Sequence, residues 1–218
     1  MTAQERLLNS PNKNRRLAIA DLELATKLDP KNADYFYALG MAQLGALEID
    51  KMDAAAKSFT EVLRLNSSDQ DAYFYRAEAN RIYNNPSESL EDSRNKTHKS
   101  RDRKQSAISD YTTYLQANPN NANALMGRGL VYIELGLYDN HNYELGIADL
   151  TKVINQGKYN EKIYLARGTA YIETGNFSLA LDDLNKALQL HDSVKQPEWD
   201  LAREEILSEI ARAKKGKN

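Results

Sequence analysis

At 218 residues with 41% apolar content, the chain can bury a sizeable core, and the absence of cysteine excludes disulfides, thiolate catalysis and cysteine-held zinc. Lys and Arg total 29 against 31 Asp and Glu, so a net charge of -2 gives no overall pull toward phosphate backbones or anionic membranes, and electrostatic recognition has to be local. A mean hydropathy of -0.68 is low for a compact globule of this size and points to a shape with much surface per unit of core.

In chain order, the N-terminal stretch MTAQERLLNSPNKNRR has no apolar run of signal-peptide length, and no segment approaches the roughly 18 to 20 apolar residues of a membrane span. The expectation is a cytoplasmic protein, or a secreted or periplasmic one if a targeting segment has been removed. Helical spacing begins at Ala18, Leu22 and Ala25, which stand four and three residues apart and share one face of a helix over about 15–28. Its expected partner is the short stretch at 2–9, where Arg6 takes the place of a small residue. A second signature follows in YFYALGMA, an aromatic or apolar residue, then Leu or Arg, then the small Gly40.

From there the two signatures alternate. Ala55, Phe59 and Val62 precede AYFYRAEA with Ala77, and Ala107, Tyr111 and Tyr114 precede LMGRGLVY with Gly129. Gly146, Leu150 and Val153 precede YLARGTAY with Gly168, and Ala180, Leu184 and Ala187 close the series. Continuing the register reaches Ala202 in PEWDLAREEILSEIARAK, a terminal helix with Trp199, Ile206 and Ile210 on one side and charges on the other. Trp199 is expected to pack on the preceding hairpin.

From Ala18 to Gly40, Ala55 to Ala77, Ala107 to Gly129 and Gly146 to Gly168, the separation is 22 residues each time. Between the two signatures in the other direction it runs 15, 30, 17 and 12, so insertions fall inside helical hairpins and never at their junctions. A stack needs such a fixed junction, because each hairpin must meet its neighbour in one register. The 13 Tyr, against 4 Phe and 1 Trp, suit half-buried positions where the ring packs and the hydroxyl stays wet.

These patterns resemble the tetratricopeptide repeat, a pair of antiparallel helices, A and B, closed by a Pro turn. Residues 161–194 match it without a gap through Tyr164, Arg167, Gly168, Tyr171, Gly175, Phe177, Ala180, Leu184 and Ala187, with Asp192 where the final Pro would stand. The family Pro appears as Pro30 and Pro119, and Ser67 and Lys158 occupy the other two such places. The resemblance implies an all-α, right-handed α-solenoid of stacked antiparallel helical hairpins. Its expected parts are a degenerate N-terminal half repeat at 1–32, repeats at 33–69, 70–121, 122–160 and 161–194, and a capping helix with a basic tail at 195–218.

It also implies a non-catalytic scaffold or adaptor that binds a partner peptide or helix in a groove lined by A helices. Carried over residue by residue, the groove set is Tyr37, Met41, Phe74, Tyr75, Glu78, Met126, Leu130, Ile133, Leu165 and Thr169; the competing reading is that single members are core between adjacent A helices. Chaperone-binding members grip a terminal carboxylate through Lys, Asn and Arg on successive A helices. Here the corresponding places hold Tyr37, Met41, Tyr75, Asn123 and Gly127 or, one repeat on, Phe74, Glu78, Gly127, Lys162 and Ala166, so no clamp for Hsp70 or Hsp90 tails is expected.

The long insertion at about 84–104 has Leu90 as its one large apolar residue, and reads as a mobile loop or a solvated helical extension. Its basic half, Arg94, Lys96, Lys99, Arg101, Arg103 and Lys104, leaves a nucleic-acid-associated role open, although no aromatic is interleaved for stacking. A chaperone or assembly factor of a secretion or envelope system is the other alternative, and self-association through the first unit stays open. Enzymatic activity, cofactors and a metal site are not expected. His98, His141 and His191 are far apart, no HExxH or P-loop occurs, and the GRG at 127–129 lacks a third glycine. Asp139, His141 and Glu144 fall close together in what reads as a polar turn. Asn66, Asn95 and Asn176 head Asn-x-Ser/Thr triplets that matter only on a secreted chain.

Overall fold

The structure, a computed structural model, describes residues 11–46, 49–82, 93–193 and 201–217, and these contain ten α-helices and no strand. The helices are α1 (Pro11–Leu28), α2 (Ala33–Leu44), α3 (Ile49–Leu65), α4 (Gln70–Ile82), α5 (Ser93–Ala117), α6 (Ala122–Leu135), α7 (His141–Asn155), α8 (Glu161–Glu173), α9 (Phe177–Ser193) and α10 (Leu201–Lys217). They fall into two units that divide between Ala117 and Asn118. The stretch at 2–9, Leu90 and Trp199 lie outside the described residues.

Each A helix starts at a side-chain cap. Asn32 Oδ1 accepts from the Asp34 backbone N–H, Asp69 from Ala72, Asn121 from Ala124 and Asn160 from Ile163, at 2.9–3.1 Å. A cap satisfies one of the backbone donors that a helix start leaves unpaired, and typically contributes about 1 kcal/mol. The ends of α7 and α8 are set by Gly157 and Gly175, whose φ angles of 72° and 75° lie in the left-handed region. Past α8, the Asn176 N–H then reaches back to the Tyr171 carbonyl at 2.7 Å and ends the helix.

In the first unit, α1 packs on α2, α2 on α3, α3 on α4 and α4 on α5, while α2 also touches α4. The core is built of small residues around one large ring: Ala55, Ala56, Phe59, Val62, Leu63, Ala72 and Ala79 are buried, and Phe59 is 0% exposed. Full burial of such a ring contributes about 1.5–3 kcal/mol. Gly40 makes room for it, since a Cβ there would lie 2.8 Å from Phe59 Cζ.

In the second unit α6 through α10 pack each on the next, with α6 touching α8 and α8 touching α10. Its core joins Ile172, Ala180, Leu184 and Ala187 to Ile206, Ile210 and Ala213 of α10. The 22-residue register fails at this last step. Ala202 is exposed, and α10 docks instead through Ile206, Ile210 and Ala213. The small residue of an A helix exists to admit its own B helix; among the described residues α10 has no such partner, so it meets α9 with larger side chains.

Candidate functional site

In three successive hairpins the A and B helices are joined by a buried ion pair. Arg76 of α4 holds Asp110 of α5 through Nε at 2.8 Å and Nη2 at 2.7 Å. Arg128 of α6 holds Asp149 of α7 at 2.7 and 3.0 Å, and Arg167 of α8 holds Asp183 of α9 at 2.7 and 2.8 Å. Asp110, Asp149 and Asp183 are only 4–5% exposed. At Arg76 the Asp110 hydrogen bond outweighs burial and raises the guanidinium pKa. At Arg128 and Arg167 burial is the larger single influence and favours the neutral form, yet hydrogen bonding and attraction by the aspartate together raise both. Each guanidinium also lies over a tyrosine of its own helix: Tyr73 for Arg76, Tyr132 for Arg128, and both Tyr164 and Tyr171 for Arg167, at 5.7–5.9 Å.

The candidate binding residues lie on the same A helices, and several of them also touch a B helix. In the first unit Tyr37, Phe74, Tyr75 and Glu78 are half-buried and Met41 is exposed. Tyr37 and Tyr75 meet edge to face with centroids 6.0 Å apart, and both lean on Phe59, Tyr75 by stacking at 5.7 Å. Phe74 touches Tyr75, Tyr111 and Tyr114. Glu78 faces inward, bonding the Tyr111 hydroxyl and Arg81 Nη2. Burial first, and then the Glu78 carboxylate, push the Tyr111 hydroxyl pKa up, so Tyr111 stays a donor.

In the second unit Met126, Leu130, Ile133, Leu165 and Thr169 are all half-buried. Ile133 lies against its own hairpin partner, with Cγ1 2.7 Å from where a Cβ on Gly146 would stand. Leu165 borders the core of α8 to α10. Two residues near these positions had no place in the sequence reading, Asp34 and Asp71 in the first turns of α2 and α4, while Tyr114, read there as one of a helical-face trio, packs on Phe74. Their signal was the recurrence of Asp34 and Asp71 at equal distance, six residues, before Gly40 and Ala77.

The insertion enters α5 as helix from Ser93, so the extension reading holds for that part. Residues 83–92 and the side chains of 93–99, with Arg94, Lys96 and Lys99, lie outside the described ones. Arg101 is exposed, whereas Arg103 bonds Asp53 of α3 and places Nη1 3.4 Å from Asn80 Oδ1 of α4, tying the root of the insertion to the preceding hairpin. Asp139, His141 and Glu144 form the start of α7: Asp139 accepts the His141 backbone N–H, and His141 Nδ1 lies 3.1 Å from Glu144 Oε2. No described helix is long and apolar enough to cross a membrane.

Comparison with known proteins bears on this architecture directly. Residues 98–141 and 161–191 each match the tetratricopeptide repeat family. Tetratricopeptide repeat protein 13 of Homo sapiens is 34% identical over 89 residues, 41% of this chain, which spans about 10% of that relative's length. The MamA protein crystal structure superposes with a TM-score of 0.64 at 22% identity, covering 91% of this chain and 92% of its own. A thermophilic tetratricopeptide repeat protein of Thermus thermophilus gives 0.56 at 21%, covering 90% and 91%. At these identities the structural likeness is one of fold. The repeat matches, the human relative and the hairpin architecture agree, and the chain carries tetratricopeptide repeats at 98–141 and 161–191.

Proposed function

We propose that the protein is a non-catalytic adaptor that holds an extended or helical segment of a partner protein against the A-helix faces of its repeats. One observation carries this: on α2, α4, α6 and α8 alike, apolar or aromatic side chains stay half-buried, as with Tyr37, Phe74, Met126 and Leu165. A side chain left half-covered by its own fold gains from a partner that completes its burial, at about 25 cal/mol for each Å² removed from water. Such a partner needs apolar anchors at helical or extended spacing.

The test is affinity purification from the native host with the wild-type chain, Met41→Lys, Thr169→Lys and Asn185→Lys. Met41 and Thr169 lie on A helices and Asn185 is exposed on a B helix, so each variant keeps its fold, checked by circular dichroism. Loss of the dominant partner from Met41→Lys or Thr169→Lys, with Asn185→Lys retaining it, is expected. Retention by both A-helix variants and loss from Asn185→Lys contradicts the proposal.

A further inference from the structure

The A-helix face of the first unit differs chemically from that of the second. At equivalent places along successive A helices the aromatic character falls, through Tyr37, Phe74, Met126 and Leu165, while charge runs from Asp34 and Asp71 to Asn123 and Lys162. At these places a ring and a carboxylate therefore coincide on α2 and α4, whereas α6 has Met126 with Asn123 and α8 has Leu165 with Lys162.

On that face the groups are close together. Tyr37 and Tyr75 meet at 6.0 Å, Phe74 and Tyr75 at 5.2 Å, and Phe74 and Tyr114 at 5.1 Å. Burial is the largest influence on Tyr37, and with Tyr75, Asp71 and Asp69 it pushes the hydroxyl pKa up to about 12. The same Asp71 carboxylate, after burial, also raises the Tyr114 hydroxyl pKa. The Asp71 carboxylate thus acts on both phenols, and its own side chain is exposed in the first turn of the helix that carries Phe74 and Tyr75. α2 contains no Lys or Arg, and the two cations of α4 are engaged elsewhere, Arg76 by Asp110 and Arg81 by Glu78. Among the described residues no cation forms an ion pair with Asp34 or Asp71.

We propose that this face recognises a cationic partner segment: an extended stretch bearing Arg or Lys, its charged end seated against Tyr37, Tyr75 and Asp71 and its apolar flank on Phe74 and Met41. The inference rests on the A-helix reading above and narrows it to one chemical class. An aromatic face attracts a cation through its quadrupole, and a neighbouring carboxylate adds attraction of the same sign. An acidic segment would instead set carboxylates against Asp34 and Asp71, which opposes binding.

The experiment selects a random dodecapeptide library displayed on phage against the immobilised full chain, in parallel with Asp71→Lys and Asp34→Lys. Both positions are exposed in first helical turns, so both variants fold, and circular dichroism checks this. Expected are peptides enriched in Arg or Lys and depleted in Asp and Glu. Synthetic copies should bind the Asp71→Lys chain roughly three- to thirtyfold more weakly than wild type. Peptides that are displaced by Met41→Lys yet show no basic enrichment, or an acidic one, overturn the cationic preference and leave the A-helix reading standing. Selected peptides indifferent to Met41→Lys, Asp34→Lys and Asp71→Lys, or no selected peptides at all, overturn both.

Discussion

Arg167 on α8 and Asp183 on α9 are joined by two parallel hydrogen bonds, and Arg167 Nη1 also donates to Thr151 Oγ1 of α7 at 2.9 Å. One guanidinium therefore ties three consecutive helices, its own hairpin and the B helix before it. Arg76 does the same in the first unit, holding Asp110 of α5 and reaching Thr60 of α3 at 3.3 Å. The first full hairpin is built differently. Leu39 and Ser58 stand where Arg and Asp would, and the buried Ser58 hydroxyl donates to Gln43 Oε1 at 2.8 Å.

The Arg167 side chain is 13% exposed and the Asp183 side chain 8%, so removing one partner strands a buried charge. Arg167→Met should lower stability by about 3–5 kcal/mol, and Arg167→Met with Asp183→Leu should recover most of the loss. Urea unfolding of the four proteins of this cycle checks it. A double variant no more stable than the single one would mean that the pair itself, beyond burial of its charges, holds the helices.

The glycines separate two kinds of constraint. At Gly146 a Cβ would stand 2.9 Å from the Gly129 carbonyl oxygen, backbone that cannot step aside, so Gly146→Ala should cost about 1–3 kcal/mol through overpacking. At Gly175 nothing lies within 4 Å, and the cost of Gly175→Ala is about 1–2 kcal/mol from the left-handed φ alone. Replacing Gly175 by Asn should recover part of that loss, whereas Gly146→Asn should be worse than Gly146→Ala. Thermal melts distinguish the two.

Much of this packing is legible in the sequence, and for a physical reason. Gly129 and Gly168 recur in register because Leu150 and Leu184 of the facing B helices pack against them, and one missed methyl group is felt across the hairpin. The caps Asn32, Asp69, Asn121 and Asn160 are equally regular, each eight residues before the small residue, but a search for apolar spacing passes over polar positions. The fate of Glu78 and Ile133 is less accessible. Helical periodicity puts both on the candidate face, yet Arg81 and Tyr111 draw Glu78 inward and Gly146 leaves room for Ile133, contacts that depend on neighbours rather than on spacing. Ala202 fails for want of a B helix to admit.

Asp53 provides a pH dependence. Burial alone would raise its carboxyl, but hydrogen bonds from Lys57, at 2.7 Å, and from Arg103 outweigh it and hold the pKa below the usual carboxylate value. A depressed folded-state pKa contributes stability above the unfolded value of about 3.9, and that contribution fades as pH falls through the folded value. Asp53→Asn should therefore flatten the acid limb of a plot of stability against pH, with the difference from wild type shrinking below about pH 4. Urea midpoints across the acid range measure this. A difference that stays constant there contradicts the ion pair as its source.

Tyr111 is fully buried, and its hydroxyl bonds Glu78 and accepts from Arg81 Nε at 3.2 Å. Tyr111→Phe should cost about 1–3 kcal/mol, since two hydrogen bonds to charged groups are lost while Glu78 and Arg81 keep each other. Combining it with Glu78→Gln should cost less than the sum of the two single changes.

The most direct measurement places a photocrosslinking amino acid, in the native host, at Met41 and Met126 on A helices and at Ser109 and Asn185 on B helices. One partner species attached at Met41 or Met126, and absent from the other two, is the predicted result. Attachment confined to Ser109 and Asn185 would contradict the assignment of the A-helix faces as the place where the partner is held.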